Sequence, residues 1–112
     1  MSLYLVRAQY TPEAMKGMVA RPADREGPAR ELFEAAGMKL HHIWYSAKGD
    51  IVCLTEGGTV NGASVAMVVM ASGGLCNLVI EEMLTPKQQL DAMRGAGEAA
   101  AKYRAPGASG TS

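Results

Sequence analysis

The pattern of apolar and polar residues along the chain predicts four β-strands. Branched and aromatic side chains concentrate in each of them, and turn-forming residues separate them. The predicted strands span residues 3–10, 38–46, 50–56 and 75–84. Only Ala47-Lys48-Gly49 separates the second strand from the third, so these two strands form an antiparallel hairpin.

The longer segments between the predicted strands contain residues typical of helix starts and helix ends. Thr11 is a good N-cap and Pro12 suits the first helical position, so a helix begins directly after the first strand. Pro22 disfavours a helical conformation at the preceding residue and interrupts this helix. A second helical piece follows and closes at Gly37, a residue type common at helix ends.

Two further helices follow the hairpin and the fourth strand. Asn61 is predicted to cap a helix that runs to about residue 71. Thr85-Pro86-Lys87-Gln88 has the form of a capping box and begins a last helix, which extends to about residue 103. We expect residues 1–104 to form one domain and residues 105–112 to be a disordered tail.

The order strand, helix, strand, strand, helix, strand, helix predicts an α+β fold. It is the ferredoxin-like βαββαβ pattern with an added C-terminal helix. One four-stranded antiparallel sheet, with helices on one face, is the expected architecture.

The second face of this sheet is predicted to be apolar as well. The first strand alternates Tyr4, Val6 and Ala8 with Leu3 and Leu5, and the third alternates Ile51 and Cys53 with Val52 and Leu54. Both faces of both strands are therefore mainly apolar. Monomers seldom expose an apolar patch of this kind. We therefore expect a homodimer, or a higher homo-oligomer, in which two sheets pack face to face. The alternative is a monomer whose last helix covers the open face.

The composition of the chain argues against several classes of protein. Eleven basic and eleven acidic residues give a formal net charge of zero, which argues against a nucleic-acid partner. No apolar run is long enough to cross a membrane and no signal peptide is visible, so we expect a cytoplasmic protein. Two cysteines do not form a disulfide scaffold.

Several short motifs resemble those of GYD-domain proteins, a family grouped with the dimeric α/β-barrel proteins. The resemblance covers residues 3–93. It rests on Tyr10-Thr11-Pro12-Glu13, Gly37-Met38-Lys39-Leu40, Trp44-Tyr45, Ala71-Ser72-Gly73-Gly74 and Leu84-Thr85-Pro86. The chain has Lys48-Gly49-Asp50 where the family has Gly-Tyr-Asp, so the tyrosine is absent. The resemblance implies a dimeric α/β barrel; proteins with that barrel include cofactor-free monooxygenases, lactone isomerases, haem enzymes and small-ligand sensors.

The two histidines are the candidate catalytic residues, because histidine changes charge near neutral pH. In a regular strand, His42 would share one face with Leu40 and Trp44, and His41 would share the other with Ile43. Either one could serve as a general base. The alternative is a structural pair on an edge strand. No metal-ligand spacing exists and we expect no cofactor; a haem would need one of these histidines as its axial ligand.

The candidate ligand-binding residues lie on the first and second strands and on the helix after the hairpin. They are Arg7, Gln9, Tyr4, Trp44 and Met67. A guanidinium matches the geometry of a carboxylate, so Arg7 could hold an anionic ligand. Alternatively, Arg7 forms an ion pair with Glu81 or Glu82. Tyrosine, tryptophan and methionine suit the wall of an adaptable apolar pocket, although packing in the core is the simpler explanation for the tyrosine and the methionine.

Three functions are compatible with these residues. The first is a homodimer that binds a small, largely apolar molecule in a cleft between the sheet and its helices. The second is a cofactor-independent oxygenase or isomerase that uses a histidine base. The third is an assembly module without a ligand. A cavity that holds a histidine beside a phenol or guanidinium would favour the enzyme, an apolar cavity would favour the binder, and the lack of a cavity would favour the module.

Overall fold

Four strands and four helices make up the part of the chain that the computed structural model describes, residues 1–107. The predicted tail therefore falls mostly outside the described residues. The elements are β1 Ser2–Tyr10, α1 Pro12–Ala20, α2 Glu26–Ala35, β2 Lys39–Tyr45, β3 Asp50–Gly57, α3 Thr59–Ser72, β4 Leu75–Met83 and α4 Pro86–Ala100.

The strands form one antiparallel sheet in the order β2-β3-β1-β4. This order is that of the ferredoxin-like fold, which confirms the predicted α+β architecture. Strands β1 and β3 are central, and β2 and β4 are the edges. One face of the sheet carries α2 and α3, and we call the opposite face the open face.

Two of the predicted helix starts are confirmed by their hydrogen bonds. The Thr11 hydroxyl accepts from the backbone N–H of Ala14 at 3.3 Å and caps α1. The same hydroxyl donates to the carbonyl of Gly73 at 3.0 Å, which ties the start of α1 to the end of α3. Thr85 and Gln88 form the predicted capping box at the start of α4.

The start of α3 differs from the prediction. This helix begins at Thr59, and its N-cap is Gly58, three residues before the predicted N-cap Asn61. The Asn61 side chain instead donates to the carbonyl of Ala36 at 2.8 Å. It therefore satisfies an orphan carbonyl at the C-terminus of α2 and links the two helices that cover the sheet.

Strand β2 also differs from the prediction, because it contains a β-bulge. Its register against β3 shifts between Leu40 and His42, so His41 is an extra residue with no partner of its own. Leu40 and Ile43 both lie on the helix-covered face, and His42 lies opposite Leu54 on the open face. The expectation that Leu40 and His42 share a face is wrong, since a bulge shifts the alternation by one residue.

The core lies between the sheet and the two helices α2 and α3. Its buried side chains come from both helices, from the connection between α2 and β2, and from the two strands β2 and β3. They are Phe33, Met38, Leu40, Ile51, Cys53 and Val65. Leu40 is almost completely inaccessible to solvent. The core therefore lies on the helix-covered face of the sheet, the same side on which the sequence predicts a ligand cleft.

Helix α4 does not cover the open face of its own chain. Every residue of α4 is exposed, and the molecule measures 67 Å in its longest dimension against 28 and 25 Å in the others. The open face carries apolar side chains from all four strands. These are Leu3, Leu5, Trp44, Val52, Leu54, Val79 and Met83. The open face therefore lacks the covering by the last helix that the monomeric alternative predicts.

Among residues 1–107, no helix combines the length and the apolar character that crossing a membrane requires.

Candidate ligand-binding site

A cavity of about 330 Å³ lies between the helix-covered face of the sheet and helices α2 and α3. The floor consists of side chains from the strands, and the opposite wall consists of side chains from the two helices. The floor includes Val6, Ala8, Ile51, Cys53, Thr55 and Ile80, and the helical wall includes Leu32, Phe33, Val65, Ala66 and Val69. A space of this size, with almost entirely apolar walls, has the properties of a small-molecule pocket.

The room for the cavity comes from small side chains at its centre. Ala8 is buried in the middle of β1, and Ala66 and Gly62 present little bulk from α3. Larger residues at these positions would reach into the space that these small side chains leave.

The Thr55 hydroxyl is the polar group on the cavity floor. Thr55 has no exposed surface, and its Oγ1 atom has no hydrogen-bond partner among residues 1–107. A buried hydroxyl without a partner is unfavourable by about 1–3 kcal/mol. The hydroxyl of Thr55 therefore lies beneath the surface of the cavity floor without a partner among residues 1–107.

Replacing Thr55 by valine is expected to raise the free energy of unfolding of the unliganded protein by about 1–2 kcal/mol, because the substitution removes a buried polar group and keeps the branched shape. The measurement is urea denaturation, in which the midpoint should rise at an unchanged slope. Thr59→Val is the control: its hydroxyl is exposed and lies 3.2 Å from the Tyr4 hydroxyl, so its loss should change stability little. Destabilisation of Thr55→Val by more than 1 kcal/mol would show that the hydroxyl has a partner.

Hydroxyl pairs mark the two ends of the cavity floor along β1. At one end, the hydroxyl of Tyr4 lies 3.2 Å from that of Thr59, and at the other end the hydroxyl of Tyr10 lies 3.2 Å from that of Tyr45. The rings of Tyr10 and Tyr45 stack with their centres 6.4 Å apart. Six residues separate the two β1 tyrosines, which corresponds to about 20 Å of strand. The cavity is therefore elongated, with polar ends and an apolar middle.

The second end also carries a positive charge. Arg25, the residue before α2, contributes to the cavity lining and is itself exposed, so it lies at the rim. Burial and the hydrogen bond to Tyr10 raise the pKa of Tyr45 above its ordinary value, and the positive charge of Arg25 acts in the opposite direction. Tyr45 is therefore a neutral phenol at physiological pH.

Cys53 lies on the floor of the cavity but is not a nucleophile there. Burial raises the pKa of its thiol to about 11, because the thiolate would lose its hydration. The thiol is protonated at neutral pH and acts as a small apolar side chain. The chemistry that this cavity can perform is therefore enclosure and hydrogen bonding.

Of the ligand-binding residues predicted from the sequence, the structure places Tyr4 at the cavity. Arg7 and Gln9 lie on the open face, because the alternation of β1 directs odd-numbered residues away from the helices. Arg7 forms no ion pair within residues 1–107. The expectation that Arg7 and Gln9 line a cleft between sheet and helices is therefore corrected.

The Gln9 side chain has a structural role. Its amide donates to Asp50 Oδ1 at 3.0 Å and its oxygen accepts from Asn77 Nδ2 at 2.7 Å. The bond from Gln9 holds the pKa of the Asp50 carboxyl below its usual value. Gln9 thus joins β3 to the irregular part of β4, where Asn77 has a left-handed backbone with φ 54°.

The two histidines also lie away from the cavity. His41 Nε2 is 2.8 Å from Glu56 Oε1 on the neighbouring strand, and the His42 ring stacks on Trp44 with centres 5.0 Å apart. Because of the bulge, His42 and Trp44 occupy the open face, and neither histidine contributes to the cavity lining. We therefore expect His42→Ala to leave binding in the cavity unchanged, contrary to what a regular strand would imply.

Met67 points to solvent rather than into the cavity. It is 65% exposed, whereas Val65, Ala66 and Val69 of the same helix line the cavity. The uniformly apolar sequence of α3 conceals which side faces the sheet. Sequence reasoning also missed Thr55, although the polar residue in an otherwise apolar strand was a signal that could have been followed.

Within residues 1–107, no group of three or more His, Cys, Asp or Glu side chains is arranged to hold a metal ion.

The comparisons with known proteins leave the family of the chain open. No model of a protein family matches the sequence, and no curated protein is similar to it. Among solved structures, the chain is similar to the C-terminal domain of the MgtC protein from Mycobacterium tuberculosis. The two are 11% identical with a TM-score of 0.48, over 74% of this chain and 88% of that domain.

Proposed function

We propose that the protein is a homodimer that binds a small, largely apolar molecule in the cavity between its sheet and helices α2 and α3. The cavity of about 330 Å³ is the observation that carries this proposal. Its walls are almost entirely apolar, and the cavity-lining tyrosines Tyr4 and Tyr10 each carry a hydroxyl.

The volume of the cavity suggests the size of the ligand. An engineered cavity of about 150 Å³, lined by aliphatic and aromatic side chains, holds a benzene molecule. The present cavity is about twice as large. A molecule with the bulk of two fused six-membered rings, or an alkyl chain of similar volume, fits it.

The contents of the cavity favour binding over catalysis. An enzyme with a histidine base would need an imidazole within hydrogen-bond reach of the reacting atoms. The cavity lining contains no histidine among the described residues, and its one thiol is protonated. The oxygenase or isomerase alternative, which depends on a histidine base, therefore has no such base in the lining of the cavity.

The open face supports the dimer. Seven apolar side chains lie on it, and α4 leaves them uncovered. Packing the same face of a second copy against it, about 10 Å away, would bury these side chains. We further propose that the chain is a divergent GYD-type protein, on the basis of the motifs before and after its strands.

Filling the cavity is expected to abolish ligand binding. In the Ala66→Leu variant, the added side chain projects from α3 into the space that the ligand needs. Binding of naphthalene, used as an uncharged probe, should weaken at least tenfold relative to the unmodified protein. The measurement is NMR titration, with the methyl signals of the cavity residues Val65 and Val69 as reporters.

Ala63→Leu is the matched control, since Ala63 is exposed on the same helix and does not line the cavity. This variant should bind naphthalene as the unmodified protein does. If the unmodified protein shows no shifts at Val65 and Val69 when naphthalene is added, the cavity is not a binding site and the proposal fails.

A further inference from the structure

The rim of the cavity carries a cation that no residue of the described chain neutralises. Arg25 contributes to the cavity lining, is exposed, and forms no ion pair within residues 1–107. A guanidinium cannot be deprotonated in proteins, so this charge is permanent. An apolar cavity with one fixed charge at its edge suits a molecule that has an apolar body and a charged end.

The acidic residues next to Arg25 in the sequence have other partners. The Asp24 carboxylate accepts the backbone N–H of Glu26 at 2.9 Å, and the Glu26 carboxylate pairs with Arg30 at 3.0 Å. Neither one is therefore engaged with Arg25. The guanidinium at the rim keeps its donors available for a ligand.

The groups around Arg25 favour an anion. Tyr10 lines the same cavity as Arg25, and its hydroxyl shares one hydrogen bond with that of Tyr45, so one of the two hydroxyl protons remains free to donate. The first turn of α2 begins at this point, and the N-terminus of a helix has a partial positive charge. Arg25 itself makes no capping bond with its side chain, so its guanidinium has no role in starting the helix.

We propose that the molecule bound by this protein is an amphipathic monocarboxylate, whose apolar body fills the cavity and whose carboxylate pairs with Arg25 at the rim. The inference rests on the proposed binding function and names its ligand class. A carboxylate matches the parallel N–H donors of one guanidinium and is balanced by its single charge. A phosphate monoester carries close to two negative charges at neutral pH and would remain undercompensated.

The experiment compares two probes of the same size, 2-naphthoate and 2-naphthamide, which differ in charge. The unmodified protein is titrated with each by calorimetry at neutral pH and low salt. We expect 2-naphthoate to bind roughly fivefold more tightly, the gain typical of one partly exposed ion pair. Raising the salt concentration should reduce this preference, because salt screens exposed charges.

Arg25→Gln should remove the preference for 2-naphthoate and leave the affinity for 2-naphthamide unchanged. Arg21→Gln is the control, since Arg21 is an exposed arginine outside the cavity lining, and this variant should keep the preference. Equal affinity of the unmodified protein for the two probes would overturn the inference while leaving the proposed function intact. A preference that survives in Arg25→Gln would also overturn it. Binding of neither probe, nor of naphthalene, would overturn the proposed function itself.

Discussion

A Leu54→Lys variant is expected to be monomeric at concentrations at which the proposed dimer of the unmodified protein forms. Leu54 lies on the open face in the central strand β3, opposite Leu5 of β1 and His42 of β2. In a dimer built on this face, the substitution would place two ammonium groups in a sheet-to-sheet contact, one from each copy. Removing each charge from water costs several kcal/mol, so the dimer should dissociate. Sedimentation velocity gives the measurement.

The same substitution should leave the fold of each chain intact, because the open face of a separate chain is in contact with water. Val19→Lys is the matched control: Val19 is 72% exposed on α1, which does not contribute to the open face, and this variant should stay dimeric. If the Leu54→Lys protein is still a dimer, the dimer interface does not lie on the open face. An unmodified protein that remains monomeric at hundreds of micromolar would contradict the dimer altogether.

Replacing Leu40 by alanine is expected to lower the free energy of unfolding by about 2–5 kcal/mol. Leu40 has 1% of its surface exposed and lies in the core with Phe33 and Ile51. Its truncation loses buried apolar area and leaves a void that close-packed neighbours fill only in part. A small domain has about 5–15 kcal/mol of stability in total, so the loss is a large fraction. Urea denaturation gives the measurement.

Leu84→Ala serves as the control for this substitution. Leu84 is 52% exposed in the connection between β4 and α4, so its truncation should change stability by less than about 1 kcal/mol. A comparable loss in both variants would contradict the burial of Leu40 in the core as the cause of its larger effect. A loss below 1 kcal/mol for Leu40→Ala would mean that the surrounding side chains collapse into the space.

The sequence predicts the elements of this fold well because their signals are local. Thr11 and Thr85 cap helices in the way that their hydroxyls and the following prolines imply. The dense apolar runs become the strands, and their order along the chain is enough to give the strand order of the sheet. Fold class therefore follows from residues that are adjacent in the sequence.

The bulge and the cavity are not local properties of the sequence. For this reason, most of the site residues predicted from the sequence lie away from the cavity. The run from Leu40 to Tyr45 contains large side chains at consecutive positions, so it fits a regular strand as well as a bulged one. The cavity depends on how Ala8, Ala66 and Gly62 face one another across two layers. The spacing of residues along the chain does not reveal that arrangement. The polar residues selected from the sequence, His42 and Arg7, lie on the open face instead.

The extra residue at His41 also bears on how this strand could change in length. Leu40 and Ile43 pair with Thr55 and Cys53 on the same side of the sheet, although two residues intervene on β2 and only one on β3. Deleting His41 would restore equal numbers on both strands and keep every other side chain on its present side. Related chains could thus be one residue shorter here, by the loss of either histidine, without moving interior side chains to the exterior.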